Sequence, residues 1–182
     1  MDQFAPLTDL DSVVCILSKI SLFGGTTDEQ LLSLLPRLKC GRIPRGEVVF
    51  QKGDDPFYIY IVKSGKLDLF LTDDDVVIEV HELGVGECFG EASIMSMHKH
   101  TATAVAKEDS EILVLSRRAL IELRHADIEL FALLMMNIAR ELARRLQLTD
   151  TMLLHYLHEN RAASTQACMP NKASSLPAAQ SA

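Results

Sequence analysis

The region from Leu38 to Ser116 consists of short apolar segments that are separated by turn residues. In one segment Leu67, Leu69 and Leu71 occur at alternate positions, which is the spacing of a strand with one buried face. The turns repeatedly contain glycine, at Gly46, Gly53, Gly65, Gly84, Gly86 and Gly90. Short strands at even spacing with glycine turns are typical of an antiparallel sandwich or barrel. The sequence therefore predicts a mainly β fold.

Helical patterns precede this β region. From Asp9 to Ile20 the apolar residues follow helical spacing. Thr26 followed by Glu29 matches a capping box, in which each side chain bonds the backbone of the other residue. This pattern predicts a second helix that starts at Thr26 and ends at Pro36, because proline cannot continue the backbone hydrogen bonding of a helix.

Helical patterns also follow the β region. Ser116 is the predicted N-cap of a short helix, and a long helix is predicted from about Asp127. An apolar stripe at helical spacing runs along the long helix, through Phe131, Leu134, Met135, Ile138, Leu142 and Leu146. We expect a break near Thr149 and Asp150. From Asn160 onward the periodicity ceases, which predicts a disordered tail.

The stretch from Gly86 to Ala104 is the candidate ligand site. Its centre is the run Phe89, Gly90, Glu91, Ala92 and Ser93. Glycine beside small residues lets the backbone approach a ligand closely and leaves N–H groups available to an anion. The Glu91 carboxylate cannot serve the anion, but it can accept hydrogen bonds from neighbouring sugar hydroxyls. The pattern therefore indicates a ligand that carries an anionic group next to a sugar.

This stretch resembles the phosphate-binding cassette of the cyclic-nucleotide-binding domain family. The family pattern opens with Phe-Gly-Glu, which this chain has at 89–91. It closes with a small or hydroxyl residue, Ala, and Thr or Ser, which this chain has at 101–103. The departure that matters is at His100, where the family has its phosphate-binding arginine, and Lys99 stands where many members have proline. Histidine offers at most one donor toward a phosphate and is mostly neutral at pH 7.

The resemblance implies an eight-stranded antiparallel β-roll with N-terminal helices and a long C-terminal helix. It implies cAMP or cGMP as the possible ligand and no other cofactor. The residues that it places at the ligand are Phe89, Gly90, Glu91, Ala92, Ser93, His100, Thr101 and Ala102.

These patterns divide the chain into four parts. The N-terminal helices occupy residues 1–36, and the β-roll with the cassette at 86–104 occupies residues 37–116. The C-terminal hinge helix and the lid or dimer helix occupy residues 117–159, and the tail occupies residues 160–182. The residues after the long helix are too few for a helix-turn-helix reader.

Charge and composition argue against several other functions. The net charge of −7 does not suit a nucleic-acid surface, which needs clustered Lys and Arg. No apolar run is long enough to span a bilayer, and the N-terminus lacks the basic region of a signal peptide, so we expect a cytoplasmic protein without a membrane partner. The four cysteines form no Cys-x-x-Cys pair, and no nucleophile–base pair is recognisable. We therefore predict no metal and no enzymatic activity.

Two functions remain open at this point. The first is a regulatory module that binds a cyclic nucleotide and signals through its C-terminal helices to an effector protein. The second is a degenerate roll that binds no nucleotide and acts as a dimeric protein-interaction module. Either form is expected to be a homodimer through the C-terminal helix, because four leucines approximate a heptad seam with Thr149 between them: Leu142, Leu146, Leu153 and Leu157.

Overall fold

The computed structural model describes residues 4–7, 17, 20–73 and 76–167. In this part of the chain two antiparallel sheets are flanked by helices. The strands are β1 (Ala5–Pro6), β2 (Leu38–Ile43), β3 (Val48–Phe50), β4 (Tyr58–Ser64), β5 (Leu67–Asp73), β6 (Val76–Leu83), β7 (Cys88–Phe89), β8 (Thr103–Ala106) and β9 (Ser110–Ser116). The helices are α1 (Asp28–Leu34), α2 (Glu91–Ser96), α3 (Arg117–Ala126) and α4 (Ile128–Ala167), with short 3-10 turns at Ser21–Phe23 and Leu35–Arg37.

The strands of the described region form two sheets. The first has the order β1-β2-β9-β4-β7 and the second has the order β3-β8-β5-β6. The predicted mainly β fold with flanking helices is thereby confirmed. The sequence did not predict β1, in which Ala5 and Pro6 pair with Cys40 and Lys39. A two-residue Ala-Pro segment has no intrinsic strand preference, and its position at a sheet edge is where proline is tolerated.

Alternate residues of β4 enter two different cores. Ile59 and Ile61 lie on the side of the first sheet where α1, α3 and the first turns of α4 pack. Tyr60 and Val62 lie between the two sheets, together with apolar residues of β3, β5 and β8. Both faces of this strand are therefore apolar, as expected for a strand that is buried on both sides.

The cap of α1 lies one residue later than predicted. Thr27 is the N-cap: its Oγ1 accepts from the N–H of Gln30 at 3.2 Å, and Gln30 Oε1 accepts from the N–H of Thr27 at 3.0 Å. The Thr26 hydroxyl instead donates to the carbonyl of Phe23 at 2.7 Å. Each threonine is followed three residues later by a Glu or Gln, so the local pattern does not decide between the two registers.

The long helix differs from the prediction in two respects. It is continuous through the expected break, where the Thr149 hydroxyl donates to the carbonyl of Arg145 at 3.0 Å within the helix. This bond satisfies the polar side chain without a kink. The helix also includes residues 160–167, which were predicted as part of the disordered tail. Arg, Ala and Gln in this stretch have favourable helix propensity, and this extends the helix beyond the apolar pattern.

The chain separates into two compact units, Met1–Leu142 and Ala143–Ala182. The first contains both sheets, and the second, where described, is the continuation of α4. The remaining predicted tail, 168–182, lies outside the described residues, as does most of the helix predicted over 9–20. No described helix combines the length and the apolar character that are needed to cross a bilayer.

Candidate functional site

The candidate site lies between β7 and β8, where the chain forms α2 and then a loop. Gly90 precedes α2 with a φ of 80°, a conformation that other residues rarely adopt. A Cβ atom at this position would lie 2.9 Å from Cδ2 of Tyr60 and 3.1 Å from the carbonyl oxygen of Tyr58. Glycine is therefore required both by the backbone conformation and by the close contact with β4.

Three of the five predicted residues at the start of the site are buried. Phe89 and Glu91 are completely buried, and Ser93 is 8% exposed. An ionised carboxylate in this environment is costly unless hydrogen bonds or charges compensate it. No side chain caps α2, so its first N–H groups are available for other acceptors. The amides that follow Gly90 and the Glu91 carboxylate thus lie within one helical turn.

The predicted residues at the end of the site are more accessible. Thr101 is exposed and Ala102 is half-buried, and Ala92 on α2 is exposed as well. The Thr103 side chain already has a hydrogen bond within the fold, because its Oγ1 accepts from the N–H of Lys52 at 3.1 Å. The hydroxyl that remains accessible to a ligand in this loop is therefore that of Thr101.

Two backbone hydrogen bonds fix the position of His100. Its N–H donates to the carbonyl of Asp54 at 2.9 Å, and its carbonyl accepts from the N–H of Gly53 at 2.8 Å. The imidazole is 3% exposed and stacks on Phe50, with ring centroids 3.8 Å apart and an interplanar angle of 11°. Its Nε2 has no hydrogen-bond partner among the described residues. Burial lowers the pKa of His100 from 6.5, against the opposing charge of Asp54, so the ring is neutral at pH 7.

Aromatic rings fill the core that adjoins His100. Phe50 lies 5.4 Å from Tyr60 and 5.9 Å from Phe89, and the last two rings stack with centroids 5.0 Å apart. Burial raises the pKa of Tyr60 to about 12, so its hydroxyl stays protonated. His100 is therefore the last ring in an aromatic cluster rather than a side chain that extends into solvent.

The chemistry of the site follows from these positions. Backbone amides can bind an anion, and a neutral imidazole can add one hydrogen bond at Nε2. Lys99 is exposed and lies 4.0 Å from the carboxylate of Asp55, so it does not replace a buried arginine. The described residues contain no group of His, Cys, Asp and Glu side chains that could hold a metal ion. The site is thus suited to binding an anion.

Two residues that position His100 were missed by the sequence reasoning. Phe50 provides the ring on which it stacks, and Asp54 provides the backbone acceptor. Asp54 could have been noticed, because aspartate in a Gly-Asp turn commonly accepts from nearby backbone, and its Oδ2 accepts from the N–H of Gln51 at 2.8 Å. No local signal connects Phe50 to His100, since they are distant in the chain.

Comparisons with known proteins agree with this architecture. Residues 41–127 match the family model described as "Cyclic nucleotide-binding domain". The chain is 36% identical over 132 residues to the cyclic AMP receptor protein of Thermus thermophilus, covering 71% of this chain and 58% of that protein. It is 32% identical over 111 residues to the cAMP-dependent protein kinase regulatory subunit of Eremothecium gossypii, covering 61% of this chain and 23% of that protein.

A solved structure shows the same fold. The crystal structure of a cyclic nucleotide-binding domain from Methylobacillus flagellatus superposes with a TM-score of 0.73 at 23% identity, covering 81% of this chain and 83% of that one. The family match over residues 41–127 and the 36% identity to the Thermus protein place this region of the chain in the cyclic nucleotide-binding domain family. It spans 58% of the Thermus relative and 23% of the kinase regulatory subunit, so both relatives contain regions without a counterpart in the match.

Proposed function

We propose that this protein is a non-enzymatic regulatory module whose cassette, residues 86–104, binds a cyclic nucleotide. The observation that carries the proposal is the buried imidazole of His100, whose Nε2 has no hydrogen-bond partner among the described residues. It lies at the cassette position where the family has its phosphate-binding arginine. A buried polar atom without a partner is costly, and a ligand that bonds to Nε2 would remove that cost.

Each cassette residue has a distinct role in the proposed complex. The N–H groups that follow Gly90 donate to the cyclic phosphate. They are available because the positive φ of Gly90 directs the chain into α2 and no side chain caps the start of this helix. The Glu91 carboxylate accepts the ribose 2′-hydroxyl, and the exposed Thr101 hydroxyl donates to the phosphate or to the edge of the base. Phe89 is completely buried in the core between the sheets, so its proposed role is to support the cassette.

The histidine lowers the expected affinity. An arginine would form two charge-assisted bonds to the phosphate, whereas a neutral imidazole forms one ordinary hydrogen bond. The difference is on the order of 1.5–3 kcal/mol, which corresponds to roughly a tenfold to a hundredfold change in the dissociation constant. We therefore expect cAMP or cGMP to bind in the micromolar range.

Isothermal titration of the nucleotide-stripped protein with cAMP and with cGMP at pH 7 tests the proposal. Saturable micromolar binding that tightens roughly tenfold to a hundredfold in His100→Arg is the expected result. The matched control is His98→Arg, which adds the same charge at an exposed position two residues earlier. Absence of saturation up to millimolar nucleotide in both the wild type and His100→Arg would contradict nucleotide binding.

In the proposed function, the C-terminal helices transmit the effect of ligand binding. The first turns of α4 pack into the helix-side core through Leu130, Leu134 and Ile138. Asn137 of the same helix donates to the carbonyls of Leu22 at 3.0 Å and Gly24 at 2.8 Å. A ligand that changes the conformation of the cassette would alter the packing of α4. The change in α4 would then affect its contacts with an effector protein or with a second copy of the chain.

A second candidate function is a protein-interaction module without nucleotide. The observation that favours it is the stack of His100 on Phe50, because this ring contact places the histidine in the aromatic core. Under this alternative the stack is a permanent structural contact and α4 carries the interaction. The same titration separates the two functions, since the interaction module gives no saturable binding of either nucleotide.

A further inference from the structure

A cavity of about 870 Å³ lies outside the cassette. None of the cassette residues 86–104 is among those that line it. Its lining combines the cationic residues Arg37, Lys39, Arg117 and Arg118 with the apolar side chains of Phe57 and Ile121. The cavity is large enough for several side chains of a ligand.

Strand pairing brings these residues together from distant parts of the sequence. Lys39 of β2 pairs with Val114 of β9, and on the other side of β9 Ser116 pairs with Tyr58 of β4. The N–H of Arg117 then donates to the carbonyl of Phe57 at 2.8 Å, which fixes the start of α3 beside the start of β4. The cavity is therefore built on the ends of three neighbouring strands.

The charge of this cavity is opposite to that of the whole chain. Four cationic residues line it, and Glu122 is its acidic residue. Glu122 accepts from Nε of Arg118 at 2.8 Å, so this acid is paired with one of the four cations. The chain as a whole has a net charge of −7. A locally positive site on an acidic protein favours an anionic ligand at this position over the rest of the surface.

The apolar side chains of the cavity are unusually accessible. Phe57 is 63% exposed and Ile121 is 49% exposed, while the neighbouring Val114 is buried. Exposed aromatic and aliphatic side chains next to arginines are the composition of protein-binding hot spots. The ligand is therefore expected to present an apolar group as well as negative charge.

We propose that this cavity is a docking site for an acidic peptide segment of a partner protein, with an apolar side chain seated between carboxylates. The cations come from the 3-10 turn at Leu35–Arg37, from β2 and from α3. Four cations beside two exposed apolar side chains in one cavity match a ligand with several carboxylates and an apolar group better than they match a single small anion. An extended anionic surface such as a membrane or a nucleic acid would meet the repulsion of the acidic remainder of the chain. This docking site goes beyond the nucleotide function and does not depend on it.

Fluorescence anisotropy with a defined peptide library tests the proposal. The probes are short fluorescein-labelled peptides that each carry one aromatic or aliphatic residue flanked by aspartates and glutamates. The same peptides with asparagine and glutamine form the neutral set. We expect saturable binding of members of the acidic set, at least about tenfold weaker binding of their neutral counterparts, and weakening as salt is raised.

Variants of the cavity locate the binding. Arg117→Glu reverses a charge at an exposed position, and an acid in the first turn of a helix is favourable, so the fold should be retained. We expect Arg117→Glu and Phe57→Ser each to weaken the peptide at least about tenfold. Arg45→Glu, at an exposed position outside the cavity, makes the same change in net charge and should have little effect.

Three results would overturn this docking site. The first is the absence of binding by the whole acidic set, and the second is equal binding of the acidic and neutral sets. The third is equal loss of binding in Arg117→Glu and Arg45→Glu, which would indicate only nonspecific charge. Vesicles that contain phosphatidylserine are titrated in parallel, and binding to them in place of the peptides would assign the cavity to a membrane surface instead.

Discussion

The imidazole of His100 lies parallel to the ring of Phe50, with centroids 3.8 Å apart. This contact joins the end of the cassette loop to β3 and makes the histidine part of the core between the sheets. Because its Nε2 has no partner among the described residues, the ring is stable there only in its neutral form. The protonation of one side chain therefore affects both the stability of the fold and the chemistry of the cassette.

The stability of the protein is expected to fall as the pH is lowered below about 6.5, and His100 should be one cause. Burial lowers the pKa of His100 in the folded state, so the unfolded chain takes up the proton first as the pH decreases. The stabilisation of the fold by neutral His100 is complete at pH values above the pKa of this residue in the unfolded chain. It is lost as the pH falls toward the pKa of His100 in the folded protein. Replacing it with phenylalanine, His100→Phe, keeps a ring on Phe50 and removes the titration. Urea denaturation between pH 5 and 8 should then show a flatter pH dependence for the variant.

The control for this measurement is His98→Gln, which alters an exposed histidine two residues away. It should retain the pH dependence of the wild type. Equal slopes in the wild type and His100→Phe would show that His100 does not contribute to acid destabilisation.

The proposed contact between His100 and the phosphate should make the affinity for a cyclic nucleotide depend on pH. An anionic phosphate near the imidazole stabilises the protonated form, so the complex binds more protons than the free protein. Affinity should then rise as the pH is lowered from 8 to 5.5, while the cyclic phosphate remains ionised. Isothermal titration at several pH values measures this, and His100→Gln should abolish the rise. An affinity that does not change with pH in the wild type would remove His100 from the ligand contacts.

Replacing Gly90 with alanine should destabilise the fold more than the same change at Gly46. Both glycines have a positive φ, 80° and 83° respectively, so alanine costs about 1–2 kcal/mol at each through the backbone. At Gly90 the new Cβ would also lie 2.9 Å from Tyr60, whereas at Gly46 it meets no atom within 4 Å. We expect an additional cost of about 1–3 kcal/mol at Gly90 from this overpacking. Urea midpoints of the two variants provide the comparison, and equal losses would mean that α2 moves away from β4 at little cost.

Several features of the fold could be predicted from the sequence because their causes are local. Ser116 caps α3 by accepting from the N–H of Ala119 at 3.0 Å, and the pattern around it indicated this. Gly46, Gly53 and Gly65 likewise mark turns between successive strands, since each has the positive φ that glycine adopts readily. The N-cap at Thr27 was misplaced by one residue because two registers satisfy the same motif. The end of α4 was placed too early because apolar periodicity stops before helix propensity does.

The candidate sites could be predicted only in part. The run that starts at Gly90 is contiguous, so its motif is visible in the sequence. The orientation of His100 depends on Phe50, which the chain brings near only through the pairing of β3 with β8. The cavity proposed for peptide docking was not predicted, because Lys39 and Arg117 both line it only through the register of β2, β9 and β4. Tertiary contacts of this kind leave no local pattern.

Removing the side chain of Asn137 should loosen the first turns of α4. This side chain is 7% exposed and donates to the carbonyls of Leu22 and Gly24, so Asn137→Ala leaves these acceptors without their partner. A loss of about 1–3 kcal/mol in the free energy of unfolding is expected. Met136→Ala, at an exposed position of the same helix, should change it by less than about 0.5 kcal/mol. A loss of similar size in both variants would indicate that the contact with the N-terminal turn contributes nothing specific.

The C-terminal part of α4 is expected to mediate a homodimer. Leu146 and Leu153 are 62% and 54% exposed and lie seven residues apart, which places both on one seam of the helix. Leu148 and Leu154 are also exposed, at 45% and 59%, but lie off that seam. In a two-stranded coiled coil, the leucines on the seam are buried against the second copy. Leucines off the seam stay exposed to solvent.

The double variants Leu146→Gln/Leu153→Gln and Leu148→Gln/Leu154→Gln therefore separate a specific seam from general hydrophobicity. Sedimentation equilibrium of the wild type should give twice the chain mass of 20.2 kDa. The seam variant should sediment as a monomer, and the off-seam variant should remain a dimer. A monomeric wild type, or equal dissociation of both variants, would contradict the seam. A monomeric seam variant that still binds nucleotide would show that the cassette does not need the second copy.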